Sequence, residues 1–222
     1  MQFHPAANRR PLLPVTQSGR ALPIVIAVVL GLLTGLALTR ILFPPGPEFR
    51  AASIYPEART LAPFELETAD GEAFTEDDLA GRPSLLFFGF THCPDVCPTT
   101  LSTLAAAMDK LDAMRVDRKP RVVFVSVDPA RDAGEAMQAY AESFDPEFTA
   151  VTGDDEALQQ LTSQVGAMYA RNPPDTGGFY TVDHSTMLVI VDSRGRMIGR
   201  FGQPFSAEDL AADLFTLVRA GV

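Results

Sequence analysis

The stretch FTHCPDVCPTTL, residues 90–101, contains the only two cysteines of the chain, Cys93 and Cys97. They are separated by three residues and flanked by Pro94 and Pro98. A disulfide between them would close a very small loop and gain only about 2 kcal/mol of chain entropy before strain, so a purely structural bridge is the weakest reading. Two sharper readings stay open: a redox dithiol, and a soft-metal site. Paired thiolates select Cu(I), Zn(II) or an iron–sulfur cluster. A four-cysteine cluster within one chain is excluded, because only two cysteines exist. A metal site therefore needs another ligand, and histidine is the candidate.

The chain has three histidines, His4, His92 and His184. His4 precedes a long apolar run. His92 adjoins Cys93, and adjacent side chains on extended backbone point apart. His184 lies in YTVDHSTMLVIVD, where a loop enters an apolar strand. Met108, Met114, Met168 and Met187 offer thioethers, but their helix or strand spacing favours core packing.

The elements that must position these groups alternate between strand and helix. Residues 84–90, SLLFFGF, and 121–128, RVVFVSVD, are short apolar runs suited to strands buried on both faces. Residues 99–114 carry an apolar stripe at helical spacing (Leu101, Leu104, Met108, Leu111), so the cysteines fall where the first long strand meets the first long helix. The start of a helix carries free N–H groups and a positive dipole end, which favour thiolate. Pro98 suits a first turn. A hairpin is expected around Asp70-Gly71 and another at residues 193–195. Helices are expected over 133–144, over 154–169 with Asp154 or Asp155 as cap, and at the C-terminus with Ser206 as cap. Residues 148–153 read as a strand and 171–183 as a loop.

This order predicts an α/β, thioredoxin-like fold with an extra N-terminal hairpin and an inserted strand–helix, preceded by one transmembrane helix. In such a fold the loop before the third core strand lies beside the start of the dithiol helix, which is where His184 would fall.

The apolar run covers residues 21–39 without a charge, and at about 1.5 Å per residue it spans roughly 28 Å, a bilayer core. Residues 41–43 extend it past Arg40. Arg9, Arg10 and Arg20 precede it and no acid does, so the positive-inside rule keeps the N-terminus cytoplasmic. The expected organisation is a cytoplasmic segment 1–20, an anchor 21–43, a proline-rich linker 44–59 and a folded domain 60–222. A cleaved signal peptide is the rival, disfavoured by the length of the run and the lack of a small-x-small site. The expected location is a bacterial inner (cytoplasmic) membrane, single-pass, with the soluble domain on the periplasmic side.

The formal net charge is −10, and residues 51–222 carry 13 basic and 27 acidic residues, a net of −14. A domain this acidic does not attract phosphate, so nucleic acid is excluded as a partner.

On FTHCPDVCPTTL, FVSVDPARD (124–132) and YTVDHSTMLVIVD (180–192), the chain resembles the Sco/SenC proteins, copper-binding assembly factors of cytochrome c oxidase. The resemblance covers roughly residues 60–218. It implies a copper ion, Cu(I) or Cu(II), bound by Cys93, Cys97 and His184. It also implies metallochaperone action on the dinuclear copper centre of oxidase subunit II, or thiol–disulfide reduction of that subunit's cysteines with Cys93 and Cys97 as the redox-active pair. Another copper chaperone or a thioredoxin-like reductant is a further expected partner. A peroxidase is the third class, for which Thr91 or Thr99 would have to activate a thiol. Asp128, at the end of its strand, is the candidate to orient His184 or attract a cation; its plain alternative is a turn residue before Pro129. Arg131 and Asp132 read as a local ion pair or helix start, Asp95 as an exposed turn residue, and Asp183 as structural.

Overall fold

The computed structural model describes residues 21–43 and 48–221. The expected cytoplasmic segment, with His4, Arg9, Arg10 and Arg20, lies outside the described residues, as does 44–47. The chain divides into two units, Met1–Pro47 and Glu48–Val222.

In the first unit the apolar run is one helix, α1 (Ala21–Leu42). Its stretch Leu22–Leu42 has a mean hydropathy of 2.5 and is long and apolar enough to cross a membrane. Its two threonines do not interrupt that character. The Thr34 hydroxyl donates to the Leu30 carbonyl and Thr39 donates to that of Leu36, so neither polar group is left for lipid to satisfy.

The second unit begins with β1 (Ala52–Thr60), the hairpin β2 (Glu65–Thr68) and β3 (Ala73–Thr75), and a 3-10 turn. Then come β4 (Ser84–Gly89), α2 (Val96–Ala113), β5 (Arg121–Ser126), α3 (Gly134–Glu142), β6 (Thr149–Thr152) and α4 (Asp155–Val165). The ribbon β7 (Tyr169–Arg171) and β8 (Val182–His184), the hairpin β9 (Leu188–Val191) and β10 (Arg196–Phe201), and α5 (Ala207–Arg219) complete it. The main sheet runs β1-β10-β9-β4-β5-β6-β2-β3. β4, β5 and β6 are parallel, and β9 joins β4 antiparallel. The core order β4-α2-β5, then β9-β10-α5, is thioredoxin-like. The hairpin β2–β3 extends the β6 edge, and β6–α4 is the inserted strand–helix.

Every residue of β4 is buried, as its unbroken apolar run requires of a strand covered on both faces. Phe87, Phe88, Phe124, Leu101 and Leu104 are fully buried in one core. The helix starts follow the capping rules. The Asp154 side chain accepts from Ala157 N–H at the start of α4, and Ser206 accepts from Asp209 N–H at the start of α5.

Three expectations meet a different structure. The linker expected over 44–59 is, from Ala52 onward, edge strand β1, paired with β10. The cause is remote in sequence: the buried Asp213 carboxylate, on α5, accepts the N–H groups of Arg50, Ala51 and Ala52, each at 2.8 Å. The expected loop 171–183 is the connection of the ribbon β7–β8, which overlaps it at both ends. The methionines divide: Met108 is core, whereas Met114, at the end of α2, is 48% exposed and Met168, beside β7, is 76% exposed.

Candidate metal centre

The cysteines lie at the junction of β4 and α2, as their sequence position implies. The helix begins at Val96, earlier than its apolar stripe indicates, so Cys97 and Pro98 stand in the first turn. Cys93 precedes that turn. Its sulfur accepts the Cys97 N–H at 3.4 Å, while the Asp95 side chain, at the formal cap position, makes no capping bond. A cysteine sulfur thus occupies the place that a capping oxygen takes elsewhere. Both cysteines are buried and not bonded to each other.

His184 ends β8, four residues before the third core strand begins. Its Nε2 lies 3.4 Å from Cys97 Sγ. The donor atoms of Cys93, Cys97 and His184 all lie within 4.8 Å of one another. With metal–sulfur bonds of roughly 2.3 Å, a planar three-ligand site separates its sulfurs by about 4.0 Å, so the cluster has the size of such a site. The imidazole is held edge-on by Phe90 and Phe87, with ring centroids at 5.9 and 6.2 Å. Its Nδ1 lies 3.1 Å from the Ser185 carbonyl. A proton on Nδ1 satisfies that carbonyl and leaves the Nε2 lone pair facing the sulfurs.

Electrostatics prepare the donors differently. Burial pushes the Cys97 thiol well above its ordinary range, so this sulfur keeps its proton until a cation replaces it. Burial also lowers His184 from 6.5, so the imidazole is neutral, and able to ligate, at pH 7. Two thiolates and a neutral imidazole carry two negative charges. They neutralise a divalent cation and leave a monovalent one with a single negative charge.

Gly89, the last residue of β4, makes room for this arrangement. A Cβ there would stand 2.7 Å from Cys97 Sγ and 2.9 Å from Phe124 Cε2.

Asp128 makes no hydrogen bond to His184, whose Nδ1 lies beside the Ser185 carbonyl. It is fully buried and takes the Tyr180 hydroxyl at 2.7 Å and Arg131 Nε at 2.5 Å. A buried carboxylate needs such donors. Asp132 has a role that sequence reasoning missed. Its buried carboxylate accepts the Thr91 N–H at 2.7 Å, the Thr91 hydroxyl at 2.5 Å and the Ser126 hydroxyl at 2.6 Å. It thereby ties down the turn that leads into Cys93. The only sequence signal was an acid next to Arg131, which local pairing explained equally well. Thr91 is committed to Asp132, which weakens the idea that it activates a thiol. His92, half exposed, lies beside Thr91 and Asp132 and is not part of the metal cluster. Asp183 is exposed on the ribbon.

A thioredoxin-like domain that brings two thiols from its first strand–helix junction against an imidazole from the segment before its third core strand defines a soft-metal-binding class of this fold. A family model described as SCO1/SenC matches residues 53–219. The chain belongs to that family. It is 34% identical over 191 residues to a SCO2-like protein of Rickettsia prowazekii (strain Madrid E), covering 83% of this chain and 92% of that one. It is 31% identical over 218 residues to the mitochondrial SCO1 homologue of Homo sapiens, covering 98% of this chain and 72% of the relative. Among solved structures, Arabidopsis thaliana ScoI with copper bound superposes with a TM-score of 0.67 at 31% identity, over 72% of this chain and 98% of that one. Bradyrhizobium japonicum ScoI with copper bound gives 0.63 at 34% identity, over 71% and 99%.

Proposed function

We propose that this chain is a membrane-anchored copper carrier that holds one copper ion between Cys93, Cys97 and His184. The observation that carries this reading is the approach of His184 Nε2 to Cys97 Sγ at 3.4 Å, since a dithiol that only exchanges disulfides needs no imidazole there. Similarity to copper-bound ScoI structures at 31% and 34% identity supports copper as the ion. Copper is cargo, and the site suits loading and release in either oxidation state. Cu(I) is satisfied by two thiolates, whereas Cu(II) gains charge neutrality and a third donor from the full set.

The proposed recipient is the dinuclear copper centre of cytochrome c oxidase subunit II, with α1 anchoring the carrier in a bacterial inner membrane and the folded unit on the periplasmic side. Family membership and the apolar helix support this assignment. A second reading rests on the two unbonded thiols within one cluster. They can reduce a disulfide of the recipient: one thiolate attacks it, the mixed disulfide is resolved by the other, and two electrons pass as Cys93 and Cys97 become joined. That step consumes the copper ligands, so the two activities exclude each other at any moment on one molecule.

The test is copper stoichiometry and affinity of the reduced full chain in detergent, beside Cys93→Ser, Cys97→Ser and His184→Ala. One tightly bound copper per chain is expected, abolished by either serine variant and weakened more for Cu(II) than for Cu(I) by His184→Ala. Tight one-to-one binding in a serine variant, or no tight binding by the unaltered chain, would overturn the carrier.

A further inference from the structure

The ligand His184 stands on a ribbon that is not part of the main sheet. Among the described residues strand β8 pairs only with β7, so no ladder of the eight-stranded sheet fixes the distance between the imidazole and the sulfurs. Side chains must set it, and the structure shows which. Residues 128–132, DPARD, form a tight turn after β5, closed by Arg131 and Asp132 N–H groups on the Asp128 carbonyl at 3.0 and 2.9 Å. From one end of this turn Asp132 grips Thr91, two residues before Cys93. From the other end Asp128 and Arg131 grip Tyr180, four residues before His184.

The grip on Tyr180 has several parts. The Arg131 guanidinium lies 3.6 Å from the Tyr180 ring centroid and 5.6 Å from that of Phe90. Its Nη1 donates to the Tyr180 carbonyl at 2.9 Å, and its Nε donates to Asp128. The Tyr180 hydroxyl donates to the other Asp128 oxygen at 2.7 Å. Phe90 in turn packs edge-on against the His184 ring. The sequence Tyr180, Arg131, Phe90, His184 is therefore one continuous stack from the turn to the ligand. Arg171, on β7, adds a second tie, donating to the Val127 carbonyl at 3.2 Å and to Asp155.

We propose that the turn 128–132 is a bracket that sets the Cys97–His184 spacing, and that Arg131 and Tyr180 are positioning residues that determine whether His184 joins the two cysteines around the cargo. The inference rests on the copper reading above. It makes the bracket a selector between oxidation states. With the ribbon held, three donors face the ion and Cu(II) is accommodated. With the ribbon released, two sulfurs remain, which is a complete set for Cu(I) and a poor one for Cu(II). A groups-in-contact mechanism of this kind acts through His184, so it leaves a distinct mark: removing the bracket in a chain that already lacks the imidazole changes nothing further.

The experiment uses the reduced full chain in detergent, titrated separately with Cu(I) and Cu(II), with thermal melting of each apo variant as a check on folding. For Arg131→Ala, Cu(II) affinity is expected to fall about 10–100-fold, as for loss of a group that orients a ligand, while Cu(I) affinity stays within about twofold because both sulfurs remain. The imidazole-nitrogen coupling in the electron paramagnetic resonance spectrum of the Cu(II) form should disappear or become heterogeneous. Arg131→Lys keeps the charge but not the flat fork, and it should not restore that coupling. Arg131→Ala combined with His184→Ala should be no weaker than His184→Ala alone. Tyr180→Phe removes only the hydroxyl bond to Asp128 and should weaken Cu(II) about fivefold, the worth of one hydrogen bond; it carries the test if Arg131→Ala does not fold. Unchanged Cu(II) affinity and nitrogen coupling in the folded variants, or additive losses in the double variant, would overturn the bracket while leaving the carrier intact. Failure of the unaltered chain to bind copper would overturn both.

Discussion

Replacing Gly89 by alanine tests how closely the protein body is fitted around the Cys97 thiol. The added methyl would stand 2.7 Å from Cys97 Sγ and 2.9 Å from Phe124 Cε2, about 1 Å inside ordinary contact for such atoms. Neither neighbour has free space, since Cys97 and Phe124 are both fully buried. The backbone cannot retreat easily, because Gly89 is paired with Ser126 in the parallel ladder of β4 and β5. Overfilling a packed core costs about 1–3 kcal/mol. For a domain of this size each kcal/mol lowers the melting temperature by about 2–4 °C, so Gly89→Ala should melt about 2–12 °C lower. The strain is relieved partly by moving the Cys97 sulfur, which stands 3.4 Å from His184 Nε2. Copper affinity should therefore fall for both oxidation states, unlike the selective effect expected at His184. Differential scanning calorimetry of the apo full chain and competition titrations with each ion give the two readouts. Melting within about 1 °C of the parent, together with unchanged affinity for both ions, would refute the claim that Gly89 is the seat of the Cys97 thiol.

Four further outcomes follow from the same geometry. Asp132→Asn replaces two charge-assisted acceptors beneath Thr91 and should destabilise the fold by about 1–3 kcal/mol, with faster amide exchange across residues 91–93; unaltered exchange there would dissociate Asp132 from the cysteine turn. Asp213→Ala strips three part-buried N–H groups of their shared acceptor and should cost about 1–3 kcal/mol, with β1 exchanging as a detached segment; retained protection of residues 52–54 would show that pairing with β10 suffices. Copper affinity should rise with pH by about tenfold per unit between pH 6.5 and 8 from the Cys97 proton alone, since burial keeps that thiol protonated, and a flat profile would contradict it. The same shift acts on the apo fold in the opposite sense. The unfolded chain releases the Cys97 proton above the ordinary value of 9.0 while the fold retains it, so stability is fully present below that pH and lost as pH rises beyond it. Apo melting curves with and without Cys97→Ala should diverge only on the alkaline side, and parallel curves would rule this out.

Much of the Cys93–Cys97–His184 cluster was legible because local rules govern its parts. A short apolar run without alternation suits a strand covered on both faces, which predicted β4 and β5. A cysteine pair between such a strand and an amphipathic helix must stand at the helix start. Given the strand–helix order, the segment before the third core strand had to approach that start, which brought His184 forward among three histidines. The same reasoning failed where a residue's partner is remote and leaves no periodic trace. Asp128 has the placement of a ligand-orienting group, yet its donors are Tyr180 and Arg131, and Ser185 takes the place beside His184 Nδ1.

The sequence by itself determined what kinds of donor this protein owns, two thiols and an imidazole, the strand–helix junction that carries the thiols, and the apolar span near its N-terminus. Those properties reside in residue type and short-range period, and no folding is needed to read them. Only the tertiary structure decided that residues 52–60 are a strand and not a tether, and that one turn holds both the cysteine loop and the histidine ribbon. Both depend on buried carboxylates, Asp213, Asp132 and Asp128, which meet N–H and O–H groups tens of residues away. A buried carboxylate must find donors wherever the fold brings them, and that choice is made by packing in three dimensions.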